Sequence, residues 1–313
     1  MKKPTGSSIS RCGRHGTCEN IRTDSVCRKD IIMARRSSAL SELIGRLPDP
    51  DQRGLLSNID KETVDNVISR LLEGGRRSLR ALIDMLVEPG RGDDVKARYA
   101  LHCLAVHVCK LDDERIRRAF GRTLASQLGG DRPKAVQKYL IRQLQVAGGE
   151  EVAGALGKML EDEELFESAA QALVAIGNGA AEQLRNALPG AKGKTKLTII
   201  QNLGVFKDTE SVSALQNALD DDDREVRLAA GWSLANIGDA GSADLLLKAA
   251  DAEGTYERVK AAKACLLLAE RLLKEGKKDK AVKIYKHLQS TRSGSDEAYI
   301  CDVANESLAA TAK

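Results

Sequence analysis

An all-α chain, folded as an α-solenoid (α-α superhelix) of stacked helical hairpins, is the class this sequence predicts, and three observations predict it. The first is composition: 42% of the 313 residues are hydrophobic but only 3% are aromatic, a mixture that suits helices stacked through small side chains. Val, Ile, Tyr and Phe are too thinly spread for sheets. The second is the stretch "DDDDREVRLAAGWSLANIGD" at residues 220–239, where acidic residues precede a helical apolar pattern that stops on Gly-Asp. The third is recurrence of that stretch at a period of about 31 residues, and self-similarity at such a period marks a repeat architecture.

The elements follow from the N-terminus. Residues 1–32, "MKKPTGSSISRCGRHGTCENIRTDSVCRKDII", carry no periodic apolar positions and no apolar core of an export signal. They read as a disordered tail or a mis-assigned start upstream of Met33. A rival reading is zinc: Cys12, His15, Cys18 and Cys27 are competent ligands, although their spacings match no common Cys-x2-Cys pairing. Residues 33–60 are expected to form a short cap, and the repeat tract to begin at "KETVDNVISRLLEGGRRSLRALIDML". Degenerate copies follow in "VKARYALHCLAVHVCKLDDERIRRAFGRTLASQL" and "KAVQKYLIRQLQVAGGEEVAGALGKML".

The clearest copies come next. In "REVRLAAGWSLANIGD", Val226, Ala230, Leu234 and Ile237 share one helical face, because steps of four, four and three residues approximate the 3.6-residue turn. Asp220 to Asp223 are placed to cap free backbone N–H groups, and Gly238 to end the helix in a left-handed conformation. A second helix, "SADLLLKAAD", completes the hairpin. One period back, Leu197 falls on Leu228, Leu203 on Leu234, Asp208 on Asp239 and Ala218 on Ala249; a further period back, Leu173, Ile176 and Gly177 take the places of Leu234, Ile237 and Gly238. The last 60 or so residues change rhythm. "AKACLLLAERLLKEGKKDKAVKIYKHLQ" predicts longer helices, and "EAYICDVANESLAATAK" returns to the first-helix pattern, with Ile300, Ala304 and Leu308 on one face.

The alanine-rich first helices, "AAGWSLANIGD" and "AAQALVAIGN", each followed by a short second helix, resemble HEAT repeats of the compact bacterial phycobilisome-lyase-like type. The resemblance covers residues 61–255 and is strongest from Leu165 to Ala250. It implies a curved superhelix in which each hairpin relies on its neighbours to bury its stripe. Leu268, Ala269, Leu272, Gly276, Ala281 and Tyr285 resemble one tetratricopeptide unit, so residues 256–313 are expected to form a tetratricopeptide-like hairpin and a closing helix.

Seven cysteines, an odd number, in a chain without a recognisable signal segment fit a reducing cytoplasm. Runs such as "ACLLLA" are far short of the roughly 20 residues of a membrane helix. Nothing in the pattern marks an enzyme: there is no Gly-rich phosphate loop, no Gly-x-Ser-x-Gly elbow and no His-Glu-x-x-His pair. The absence of any His-Glu dipeptide argues against the di-iron hydroxylases built on HEAT repeats. In "HCLAVHVC", helical spacing sets Cys103 with His107 on one face and His102 with Cys109 on another, so packing is favoured over metal binding. No cofactor, metal site or catalytic residue is expected.

Charge carries the functional reading. Residues 66–147 sum to about +7, and residues 148–223 to about −8, with Asp220 to Asp223 among the latter. A solvated surface with acidic caps would produce such blocks, and so would a solenoid presenting complementary patches to another protein. In the HEAT-repeat resemblance the second helices line the concave face. On that mapping the off-stripe residues Arg117, Arg118, Arg122, Glu182, Arg185, Gln216, Asn217 and Lys248 would face a groove. Trp232 lies off its helix's stripe, so it either packs on an adjacent repeat or stands exposed as a contact anchor, and tryptophan's usual burial favours packing. The expected function is a non-enzymatic, protein-binding scaffold or adaptor. The alternatives are a nucleic-acid binder or base-excising glycosylase using the basic repeats, for which aromatic stacking platforms are scarce, and the bilin lyase or isomerase activity that the repeat subtype implies.

Overall fold

The structure is a computed structural model that describes residues 38–51, 56, 59–292, 294 and 297–311. The proposed tail, with Cys12, His15, Cys18 and Cys27, lies outside the described residues. The described residues contain helices and turns and no strand, so the all-α expectation holds. A first helix, α1 (residues 38–45), presses Ile44 and the following Leu47 into the core, both 2% exposed. It is held from the second hairpin by Lys96, whose ammonium donates to the Gly45 carbonyl at 3.0 Å and pairs with Asp49 at 2.8 Å.

Hairpins then follow in order: α2 (Lys61–Glu73) with α3 (Gly75–Asp84), α4 (Val95–Val108) with α5 (Glu114–Ala125), α6 (Lys134–Ala147) with α7 (Glu150–Met159), and α8 (Phe166–Ile176) with α9 (Ala180–Ala187). They continue with α10 (Gly193–Phe206) and α11 (Val212–Asn217), then α12 (Arg224–Ile237) and α13 (Ala243–Ala250). The chain ends on α14 (Thr255–Lys274), α15 (Lys278–Thr291) and α16 (Ala298–Thr311). First helices pack on first helices along the chain, α2 on α4, α6, α8, α10, α12 and α14 in succession. Second helices form the other layer, with α3 on α5, α5 on α7, α7 on α9 and α13 on α15. This is a two-layer α-solenoid, and its core is one continuous apolar seam between the layers.

The local chemistry explains why the chain folds this way. Leu173, Leu203 and Leu234, the repeat-equivalent stripe positions, are all fully buried. Asp60, Asp113 and Asp223 start α2, α5 and α12 by accepting from backbone N–H groups two residues on, which satisfies donors a helix start leaves free. The run Asp220–Asp223 thus divides its labour. Asp223 caps α12, while Asp221 accepts from the Asp223 N–H at 2.9 Å and pairs with Lys196 of the preceding repeat. Gly238 ends α12 at φ 86°, where a Cβ would be strained. One repeat earlier the same position is Lys207, at φ 52°.

Side chains also clamp each repeat to the next. Lys196, Arg227 and Arg258 occupy equivalent positions in α10, α12 and α14, and each reaches a carboxylate at the start of the following first helix: Asp221, Glu257 at 2.7 Å and Glu297 at 2.9 Å. The ladder runs without a break into α14, so the C-terminal helices continue the stack. There the tetratricopeptide-like positions Leu268, Ala269, Leu272, Ala281 and Tyr285 are buried, and Gly276 turns the chain at φ 76°.

Candidate functional site

Long polar side chains on the second helices do one of two things here, and the eight residues singled out above divide between them. Arg117 is a clamp. Its guanidinium donates to Glu114 at 2.8 Å, to the Ala147 carbonyl at 2.9 Å and to both oxygens of Glu151 at 3.0 and 3.1 Å, with the Glu151 side chain only 7% exposed. The two carboxylates raise the Arg117 pKa, its hydrogen bond to Glu114 foremost, and Arg117 followed by Arg118 holds the Glu114 carboxyl at about 2. Arg185 grips Asp208 and Glu210 of the next repeat, the latter at 3.0 Å. Gln216, at the equivalent position one repeat on, donates to Ser242 at 2.9 Å and Asp239 at 3.4 Å. Arg117, Arg185 and Gln216 thus join repeats, because a long side chain pointing along the layer meets the next hairpin; Arg117 with Arg118, and Arg185 with Asn217, also line surface grooves. Arg118, Arg122, Asn217 and Lys248 are exposed, as is Glu182.

The expectation that Trp232 packs away is corrected. It is 39% exposed and lies on the first-helix layer, opposite the second-helix residues.

Between α3 and α5 the second-helix layer opens into a cleft of about 480 Å³. Its floor is apolar, formed by Leu72, Leu79, Ala119, Phe120 and Ile116, the last of these 38% exposed. Gly75, at φ 57°, makes the tight turn that lets α3 leave α2 so abruptly, and it borders the opening. Arg76 stands on one wall and Arg115 on the other. Arg115 is paired with Asp113 at 3.0 Å. Helical spacing sets Arg80 one turn beyond Arg76 and Arg122 two turns beyond Arg115; Arg76, Arg77, Arg80 and Arg122 have no ion pair among the described residues. The arrangement is a greasy slot with an arginine rim, which can seat apolar side chains while attracting carboxylates. The arginines are visible in the sequence and the slot is not, because Ile116 and Phe120 come together with Leu72 and Leu79 only when α3 and α5 pack.

In the "HCLAVHVC" stretch, His102 and Cys109 turn to different partners on α6. His102 Nδ1 lies 3.0 Å from Gln143 Oε1, and the Cys109 thiol donates to the Val146 carbonyl at 3.4 Å. Burial raises the pKa of the Cys103 and Cys109 thiols. Among the described residues no group of three His, Cys, Asp or Glu side chains is arranged to hold a metal. Cys103, Cys109, Cys265 and Cys301 are unpaired, and no described helix is long and apolar enough to cross a membrane.

Hairpins of this size, with buried Leu and Ala seams, agree with a match to a known family over α9 to α14: residues 181–266 fit the family described as HEAT repeats. These residues are HEAT repeats. No curated protein matches the chain. Among solved structures, the complex of CpcE and CpcF of phycocyanin lyase from Nostoc is 18% identical, with 73% of this chain and 94% of that chain covered and a TM-score of 0.35. An engineered protein is 20% identical over 87% of this chain and 97% of its own, with a TM-score of 0.27. Human deoxyhypusine hydroxylase in complex with glycerol is 14% identical, covering 89% and 97% of the two chains, with a TM-score of 0.32. The HEAT stretch includes Arg185, Gln216, Asn217, Trp232 and Lys248, whereas the α3–α5 cleft precedes it in the same stack.

Proposed function

We propose that this chain is a non-enzymatic scaffold or adaptor that binds a segment of another protein on its solenoid surface, with the α3–α5 cleft as the primary seat. The observation that carries this reading is the exposed Ile116 and its apolar floor beside Arg76, Arg80 and Arg122, which no described carboxylate neutralises, with Arg115 on the far wall held by Asp113. An amphipathic helix with apolar anchors at i, i+3 or i+4, and i+7, flanked by Glu or Asp, fits such a slot. Burying the anchors supplies affinity, and the arginines supply orientation and association rate.

Titration of the full chain with a labelled helical peptide bearing leucine anchors and glutamate flanks tests the proposal. The expected outcome is saturable binding that Ile116→Glu weakens roughly tenfold or more, since it places a carboxylate on the apolar floor. Equal binding by a peptide with lysine flanks would contradict it. The unpaired arginines also favour one rival, nucleic acid, which would bind through them without using the apolar floor.

A further inference from the structure

The exposed aromatic residues of the described chain are Trp232, Tyr256 and Tyr299, at 39%, 50% and 43% exposure. They sit on α12, α14 and α16, and the geometry joins them into one strip. Trp232, Tyr256, Lys260 and Lys263 line the same groove of about 450 Å³ between α10, α12 and α14, over a floor that includes Leu197, Leu228 and Leu267. The Lys260 ammonium stands 5.6 Å over the Tyr256 ring and Arg224 stands 4.9 Å over the same ring. The Lys263 ammonium stands 5.4 Å over Tyr299, which extends the strip to α16. Lys260 and Lys263 have no carboxylate partner among the described residues. The one acidic residue lining the groove, Glu225, is paired with Arg224 at 3.3 Å.

We propose that this strip is a second docking surface, on the layer opposite the α3–α5 cleft, for an extended acidic peptide segment of a partner protein that lays an apolar side chain against Trp232 and carboxylates on Lys260 and Lys263. Tryptophan and tyrosine lose little side-chain entropy on binding and dominate interface energies. The two ammonium groups are already positioned over rings, so a carboxylate finds them ordered. Three helix axes at about 8–10 Å spacing span roughly 20 Å, the reach of about six extended residues. Nucleic acid fits less well. The rings of Tyr256 and Tyr299 already carry cations over their faces, so a base stacking there would have to displace them, whereas a carboxylate binds those cations where they stand.

Trp232 is the single tryptophan of the chain, so its fluorescence reads this surface directly. The full chain is titrated with a peptide of about ten residues alternating glutamate and leucine, with the same peptide carrying lysine for glutamate, and with oligothymidylate. The expected result is a blue shift of Trp232 emission and reduced acrylamide quenching with the acidic peptide alone, and a roughly tenfold weaker response in Lys260→Glu/Lys263→Glu. Tyr299→Ser should also weaken it, while Ile116→Glu should leave it unchanged, so failure here is distinct from failure of the α3–α5 cleft. An unchanged emission, an equal response to the lysine peptide, or tighter binding of oligothymidylate would overturn the proposal. So would a blue shift produced by raising protein concentration alone, which would assign the strip to a second copy.

Discussion

Leu234 is fully buried at a position that recurs as Leu203 and Leu173, so Leu234→Ala should cost about 2 to 5 kcal/mol in chemical denaturation by opening a cavity in the seam. Lys248→Ala, on the exposed face of α13, should stay within about 0.5 kcal/mol. Two backbone positions sharpen the same register. A Cβ on Gly204 would come within 2.8 Å of the Ser233 Cα, where α10 and α12 touch; Gly204→Ala should therefore destabilise by about 1 to 3 kcal/mol, despite alanine's better helix propensity. Lys207 holds the left-handed conformation that Gly238 holds one repeat on, and Lys207→Gly should stabilise by up to about 1 kcal/mol in the same denaturation series. The stripe positions were legible because burial follows a 3.6-residue period. The destinations of Arg117, Arg185 and Gln216 were not, since a period fixes the direction of a side chain and says nothing of what the next hairpin places in front of it.

At the scale of elements, the clamps from Lys134, Lys196 and Arg227 give the stack a definite acid response. Lys196 holds the Asp221 carboxyl below its ordinary value of 3.8, Lys134 does the same for Asp162, and Arg227 holds Glu257 below 4.5. A carboxyl whose folded pKa is depressed contributes stability that is fully present above its unfolded value and is lost as pH falls through the folded one. Melting temperature followed by circular dichroism should thus hold level from neutral pH down to the ordinary carboxylate values and fall below them. Lys196→Met/Arg227→Met should melt lower at neutral pH and lose less on acidification, whereas parallel acid profiles would show that these clamps carry none of the response. Helix starts at Asp60, Asp113 and Asp223 could be read from an acidic residue preceding an apolar stripe. The pairing of Asp221 with Lys196 could not, because it depends on how far one hairpin is rotated against the next, a property of the packed seam.

For the whole molecule, the period, the order of the hairpins and the continuity of the stack were legible because every repeat restates the same stripe, and 31-residue units leave no other partner for it than the adjacent copy. The block of basic charge was legible too, but its meaning depended on packing: part of it is neutralised by the clamps, and what remains rims an apolar cleft between α3 and α5. That residue of charge decides between partner classes. Nucleic acid would bind the arginines mainly through counterion release, so its affinity would collapse as salt rises. A protein segment would bind through Ile116 and the floor as well, and would lose less. Fluorescence anisotropy on the full chain, near about 150 mM salt, with single- and double-stranded oligonucleotides beside the glutamate-flanked helical peptide, makes that comparison. Oligonucleotide dissociation constants weaker than about 1 µM, with the peptide binding more tightly and losing that advantage in Ile116→Glu, are the predicted result. An oligonucleotide complex tighter than about 100 nM that is lost in Arg80→Glu/Arg122→Glu, and is untouched by Ile116→Glu, would contradict the protein-binding account.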